Sequence, residues 1–163
     1  MLRRPVRSWN AYLKLLVVGA LVLALVFRLG NLSTKPYWGD EVFTSMRVSG
    51  YRSGDIKSKI NGRLVPVEEL YQYRDVGSGR SWRNTLGALS GRPEHAPLYF
   101  VLARLWAQVF GSSVGAMRSL PAVISLLTLP LFYWLSRLLF NSSEVAKMTL
   151  CLACVSPIFI RQA

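Results

Sequence analysis

The sequence predicts an all-α polytopic membrane protein, with about three transmembrane helices and a long extracytoplasmic loop carrying juxtamembrane helices. Three observations carry that prediction. The 163 residues are 52% hydrophobic and their mean hydropathy is positive, which places the chain in the membrane class. Long apolar runs recur at Ala11–Phe27, Met117–Phe140 and Met148–Ile160. Seven of the eight acids fall between Asp40 and Glu94, so one central polar segment holds nearly all the carboxylate chemistry.

Residues 1–29 comprise a basic head, MLRRPVRSWN, and the first apolar run, with Lys14 near its start. With its flanks the run approaches the ~20 residues that cross a bilayer. Lys14 can snorkel to the head groups. Arg3, Arg4 and Arg7 place the N-terminus in the cytoplasm. A cleaved signal peptide is the competing reading, but no small-x-small cleavage site follows Phe27. Residues 30–93 then form the extracytoplasmic loop. GDEVFTSMRVSG reads as a short helix opened by Asp40 and closed by Gly50, with Val42, Phe43 and Met46 on one side. VPVEELYQY has Pro66 and acids near a helix start. SWRNTLGALSG has Ser81 as N-cap, Trp82, Leu86 and Leu89 at helical spacing, and Gly91 as its end. RSGDIKSKINGR and RDVGSGR read as turn-rich loops.

Residues 94–111, EHAPLYFVLARLWAQVFG, form a short apolar run holding Arg104 and Gln108. Such a run is interfacial or re-entrant, or it spans. If it lies along the surface, the turn with Arg137 and Lys147 faces the cytoplasm, opposite a loop holding only Arg118. The positive-inside rule favours that arrangement. Residues 117–140 are long enough to span, and Pro121 and Pro130 are tolerable in a lipid-buried helix. Residues 145–161 make the last expected span. Its Cys151 and Cys154 stand in a CxxC spacing, but both flanks are apolar and no second ligand pair exists, so they read as small apolar residues on one helix face.

The formal charge of +12 raises nucleic acid as a partner. The cations are spread along the chain and no nucleic-acid motif occurs, so anionic lipid head groups or lipid phosphates explain the excess better. No group of acids and histidines has ligand spacing, so the sequence indicates no cofactor and leaves a divalent cation open. A transporter would place ionisable groups at mid-depth in its spans, and apart from Arg104 in the doubtful helix there are none.

The order of motifs carries a resemblance. A span is followed at once by WGDE. A loop with short helices leads to EHAPLYFVLARLWAQVFG, then to MRSLPAVISLLTLPLFYWLSRLLF and SPIFIRQA. Over nearly all its length the chain resembles the N-terminal part of the polytopic GT-C glycosyltransferases. Within them it is most similar to the dolichyl-phosphate-mannose-protein mannosyltransferase-like group (glycosyltransferase family 39), of the bacterial or cyanobacterial type. The family's essential acid, in a DE pair after the first span, maps onto Asp40, with Glu41 beside it. Its HPPLYY-like segment maps onto His95, Ala96, Pro97, Leu98 and Tyr99, with Ala96 in place of the first proline. Its later SPF…QEAR maps onto Ser156-Pro157, and the acid and arginine expected after Gln162 do not follow. Family members continue through many more spans, so the resemblance implies a truncated member whose remaining transmembrane portion belongs to a longer enzyme.

That resemblance implies hexosyl transfer with inversion, from a polyprenyl-phosphate-linked donor to an acceptor outside the cytoplasm, at the plasma (inner) membrane. Such chemistry asks for a carboxylate to take the acceptor's proton, cations to hold the phosphate, and a site at the membrane edge. Asp40 is the expected base, at a helix start where the dipole stabilises negative charge. Glu41 tunes or orients it, and Tyr37 and Trp38 suit an interfacial belt. Arg92, Glu94, His95, Tyr99 and Arg104 are the candidate substrate and phosphate contacts. The alternative is a non-catalytic membrane protein whose loop binds a partner, in which Asp40 is only a helix cap and loss of Trp82 or Leu86 would be the damaging change.

Overall fold

The structure is a computed structural model that describes residues 6–30, 32–90 and 96–161. The expected helix end at Gly91 and the candidates Arg92, Glu94 and His95 lie outside the described residues. Every regular element among the described residues is helical. The chain divides into two compact units, Met1–Leu32 with Pro121–Ala163, and Ser33–Leu120.

The first unit is built on α1 (Val6–Leu29), the greater part of α7 (Val114–Phe140), α8 (Ser143–Val155) and α9 (Pro157–Arg161). Helices α1 and α7 are each long and apolar enough to cross a membrane. The core helix of a soluble protein would be mostly buried, but only 22% of the α1 window and 11% of the α7 window is. Leu15, Leu127 and Leu138 stand on their exposed sides. Where α1 meets α8 the side chains are small: Ala20 and Ala24 face Leu150, Cys151, Ala153 and Cys154, which lets the two backbones approach.

Hydrogen bonds fix the helix directions. Arg28, near the end of α1, donates to the carbonyls of Ala153 (3.3 Å) and Cys154 (2.9 Å), near the end of α8, so α1 and α8 run parallel. Ser125, early in α7, accepts from Arg28 Nε at 2.9 Å, and Ser136 pairs with Thr149 at 3.0 Å, so α7 runs against both.

Two sequence expectations change here. Helix α7 starts at Val114, earlier than expected, and continues through Pro121 and Pro130. The last apolar run is not one helix. Proline disfavours the helical conformation of the residue before it, and Ser156 is extended (φ −64°, ψ 122°), so the run divides into α8 and α9. The 13 residues of α8 rise about 20 Å, short of the ~30 Å apolar thickness of a bilayer. Among the described residues two helices, α1 and α7, have the length of a span.

The second unit holds α2 (Gly39–Val48), α3 (Ser53–Ile60), α4 (Val67–Tyr71), a 3₁₀ turn (Gln72–Arg74), α5 (Trp82–Ser90) and α6 (Pro97–Phe110). Its larger core gathers Val48, Leu89, Phe100, Ala103, Ala107, Met117 and Leu120. A smaller one joins Met46, Tyr51 and Tyr73, the two rings meeting edge to face at 5.0 Å. Gly50 closes α2 as expected, with φ +86°. Its N–H bonds to Arg47 and that of Tyr51 to Met46, the paired bonds of a left-handed helix stop.

RSGDIKSKINGR is not a loop over its length, since α3 occupies Ser53–Ile60. Asp55 accepts the Arg52 N–H at 3.1 Å and starts the helix, although Ile56 alone packs inward, leaving too little apolar periodicity to read. On α2 only Met46 of the expected apolar side is buried, while Val42 and Phe43 are exposed. On α5 Leu89 is buried and Leu86 exposed. The Ser81 hydroxyl donates to the Asn84 side chain at 2.8 Å instead of accepting from the helix backbone. The 14 residues of α6 are too few for a straight crossing.

Candidate functional site at the start of the second helix

Helix α2 begins one residue before Asp40, and Trp38 occupies its N-cap in extended conformation. Asp40 is therefore a first-turn residue and not the cap. The capping work falls to Glu41, whose Oε2 reaches back to accept the Trp38 N–H at 2.8 Å. Arg118, in the first turns of α7 and within the same unit, grips that carboxylate with two bonds, Nε to Oε1 at 2.6 Å and Nη2 to Oε2 at 2.8 Å. The same guanidinium donates to the carbonyls of Lys35 (3.0 Å) and Pro36 (2.8 Å). One arginine thus fixes both the acid and the chain leading into it.

Tyr37 completes the frame. Its hydroxyl donates to the Glu41 carbonyl at 3.1 Å and pairs with the buried Ser45 hydroxyl one turn on. Its ring lies under Arg118, 5.7 Å from the guanidinium carbon. Burial pushes the Tyr37 phenol up. The Tyr99 phenol is likewise raised, first by burial, then by the nearby Tyr37 and Glu41. Tyr99 on α6 packs against the larger core and edge to face with Phe100. Glu41 moves the other way: the Arg118 bonds hold its carboxyl below the usual range, against the opposing effect of burial.

Asp40 stands apart from this. It is exposed, and among the described residues no group bonds to its carboxylate. Two adjacent acids on one helical turn have been given opposite surroundings. Glu41 is spent on an ion pair that makes it a weak base, while Asp40 remains available.

Arg104 is turned inward, neither snorkelling nor lying at a surface where lipid phosphate would meet it. It is 2% exposed. Its Nη1 donates to the Val48 carbonyl at 2.8 Å and to the Thr85 hydroxyl, and its Nη2 to the Arg80 carbonyl at 2.6 Å. The guanidinium also lies 5.2 Å from the centre of the Trp82 ring. Val48 ends α2, so Arg104 caps that helix from outside its own sequence, where the dipole favours a cation. Burial lowers its pKa. The structure makes it a tie between α2, α5 and α6.

The sequence missed Arg118, Tyr37 as a hydrogen-bonding member of the frame, and Arg28. Arg118 had one available signal, as the only charged residue of α7 before Arg137. Its partner lies 77 residues away in the chain, and no local pattern joins the two. Among the described residues no group of three or more His, Cys, Asp or Glu is placed to hold a metal ion. Comparison with protein families, with curated proteins and with solved structures finds no match to this chain.

Proposed function

We propose that the chain is the N-terminal portion of an inverting membrane glycosyltransferase, with Asp40 as general base. The observation that carries this reading is the contrast within the acid pair. Glu41 is neutralised by Arg118 and holds the turn, while Asp40 on the same turn is exposed and has no partner among the described residues. The donor is a sugar on a polyprenyl phosphate and the acceptor lies outside the cytoplasm. The acceptor hydroxyl gives its proton to an Asp40 oxygen as its own oxygen bonds to the anomeric carbon. The bond from that carbon to the phosphate oxygen breaks, and the electron pair leaves with the phosphate. One base suffices for such a displacement, and a positioned base contributes roughly 10²–10⁴ in rate.

The membrane setting supports this use. The chain sits in the plasma (inner) membrane with its N-terminus cytoplasmic, α1 and α7 cross, and α6 lies along the extracytoplasmic surface. Two antiparallel crossing helices return the segment between them to the face it left, which favours α6 on the surface over α6 across the bilayer. Exposed Lys35, whose charge helps hold Glu41 ionised, adds positive potential near the acid pair for the donor phosphate.

The test is sugar transfer from labelled polyprenyl-phosphate donors in native membranes carrying the full-length product. Asp40→Asn should abolish transfer at an unchanged protein level. Retained transfer would overturn the reading. Trp82 packs on Arg104, so its loss would disturb the fold, and exposed Leu86 is the cleaner probe of partner binding. Leu86→Ala should leave transfer unchanged.

A further inference from the structure

The acid–arginine frame holds one more side chain in a fixed place without using it. Trp38 is 70% exposed, in a unit whose other tryptophans, Trp82 and Trp106, are partly buried. No described residue stacks on its ring or bonds to its indole N–H. Yet the backbone around it is held by side chains. Its N–H is bound by Glu41, and the carbonyls of the two residues before Tyr37 are bound by Arg118. A large, flat apolar side chain is thus carried, exposed, on a held backbone two residues from a carboxylate that has no partner among the described residues.

We propose that Trp38 is the platform on which a hexose ring packs beside Asp40, an inference that rests on the glycosyl-transfer reading and names a substrate contact for it. A pyranose has faces of C–H groups and a rim of hydroxyls. The C–H face suits the electron-rich indole face, and the rim offers donors to a carboxylate. Trp38 and Asp40 supply one group of each kind on a single turn. The Glu41–Arg118 pair holds the backbone that carries them, so binding loses little main-chain freedom. Val42 and Phe43, exposed one turn further along α2, widen the apolar ground. Lipid would be the rival occupant of such a patch. Seating Trp38 in lipid would bring the exposed Asp40 carboxylate into a drier, often anionic, surface, which is costly for a negative charge.

The experiment uses the native protein in phosphatidylcholine nanodiscs, with the emission of Trp38 isolated as the difference between wild type and Trp38→Phe. Methyl glucoside, methyl mannoside and methyl galactoside are the probes. At least one should change the Trp38 emission saturably, and Asp40→Asn should weaken that response. Nanodiscs with brominated acyl chains should leave Trp38 unquenched. In the transfer assay Trp38→Ala should raise KM roughly three- to tenfold with a smaller change in kcat, and Trp38→Phe, which keeps a ring, should recover most of the loss. Quenching by brominated lipid, or no response to any of the three glycosides, overturns the proposal. Glycoside binding at Trp38 in a protein without transfer activity keeps this site and removes the catalytic reading. Transfer that ignores Trp38 does the reverse.

Discussion

Each unit buries one arginine to 2% exposure, and no carboxylate pairs with either among the described residues. Both guanidiniums donate to carbonyls near helix ends, with the buried Arg104 Nε left without a partner among the described residues, but the reasons differ. In the apolar unit the need comes from Pro157. It has no N–H to give the Ala153 carbonyl four residues back, and Arg28 supplies the missing donor there and at Cys154. In the polar unit the need comes from topology. Helix α2 stops at Gly50 so that the chain can turn, and Arg104 ties the end of α2 to α5 and to the Arg80 carbonyl. Arg28 repairs a break in one helix, whereas Arg104 joins three segments distant in sequence. Losing the second should therefore do more damage.

Arg104→Met tests that most severely. It keeps the length and removes every donor, leaving the Arg80 carbonyl and part of the Val48 and Thr85 bonding unmet. A loss of about 3 kcal/mol is expected, with the loop 33–90 becoming protease-sensitive. Arg28→Leu should cost less, about 2 kcal/mol, read as a lower melting temperature in detergent with the loop still protected. Equal losses, or a cleaved loop in both variants, would erase the distinction.

Glu41→Gln comes next, at about 1 kcal/mol, because the pair with Arg118 is partly open to solvent. Its cost should depend on pH. The folded Glu41 carboxyl lies below its ordinary range, so as pH falls the unfolded chain takes up the proton first. The pair's contribution is complete above the unfolded pKa and is lost as pH falls through the lower folded value. Wild type and Glu41→Gln should therefore converge in acid, checked by melting curves across pH. Gly50→Ala should lower stability by roughly 1 kcal/mol, since a Cβ at φ +86° would also meet Asn84 Cβ at 3.0 Å.

The apolar unit was largely legible because its signal is local. Runs of Leu, Val and Ile mark α1 and α7, and only the Ser156–Pro157 break escaped a reading by hydropathy. In the polar unit the turn chemistry was legible at Gly50 and Pro66, and Ser81 marked the start of α5 without its hydroxyl capping it, while α3 was lost because Asp55 starts it with almost no buried face behind it. At the site the acid pair itself was visible. Its division of labour was not, because that depends on Arg118, which reads in sequence as the cation of a short loop. Arg104 misled for the same reason: a lone cation in an apolar run looks alike whether it faces out to lipid or in to bare carbonyls.

The most direct test measures Asp40→Asn and Glu41→Gln side by side in the same native membranes, for both thermal stability and sugar transfer. Asp40→Asn should melt with wild type and lose transfer by about 10² or more, while Glu41→Gln should melt lower and keep part of its transfer. Full transfer in Asp40→Asn, or a fall in its melting temperature matching that of Glu41→Gln, would contradict this expectation.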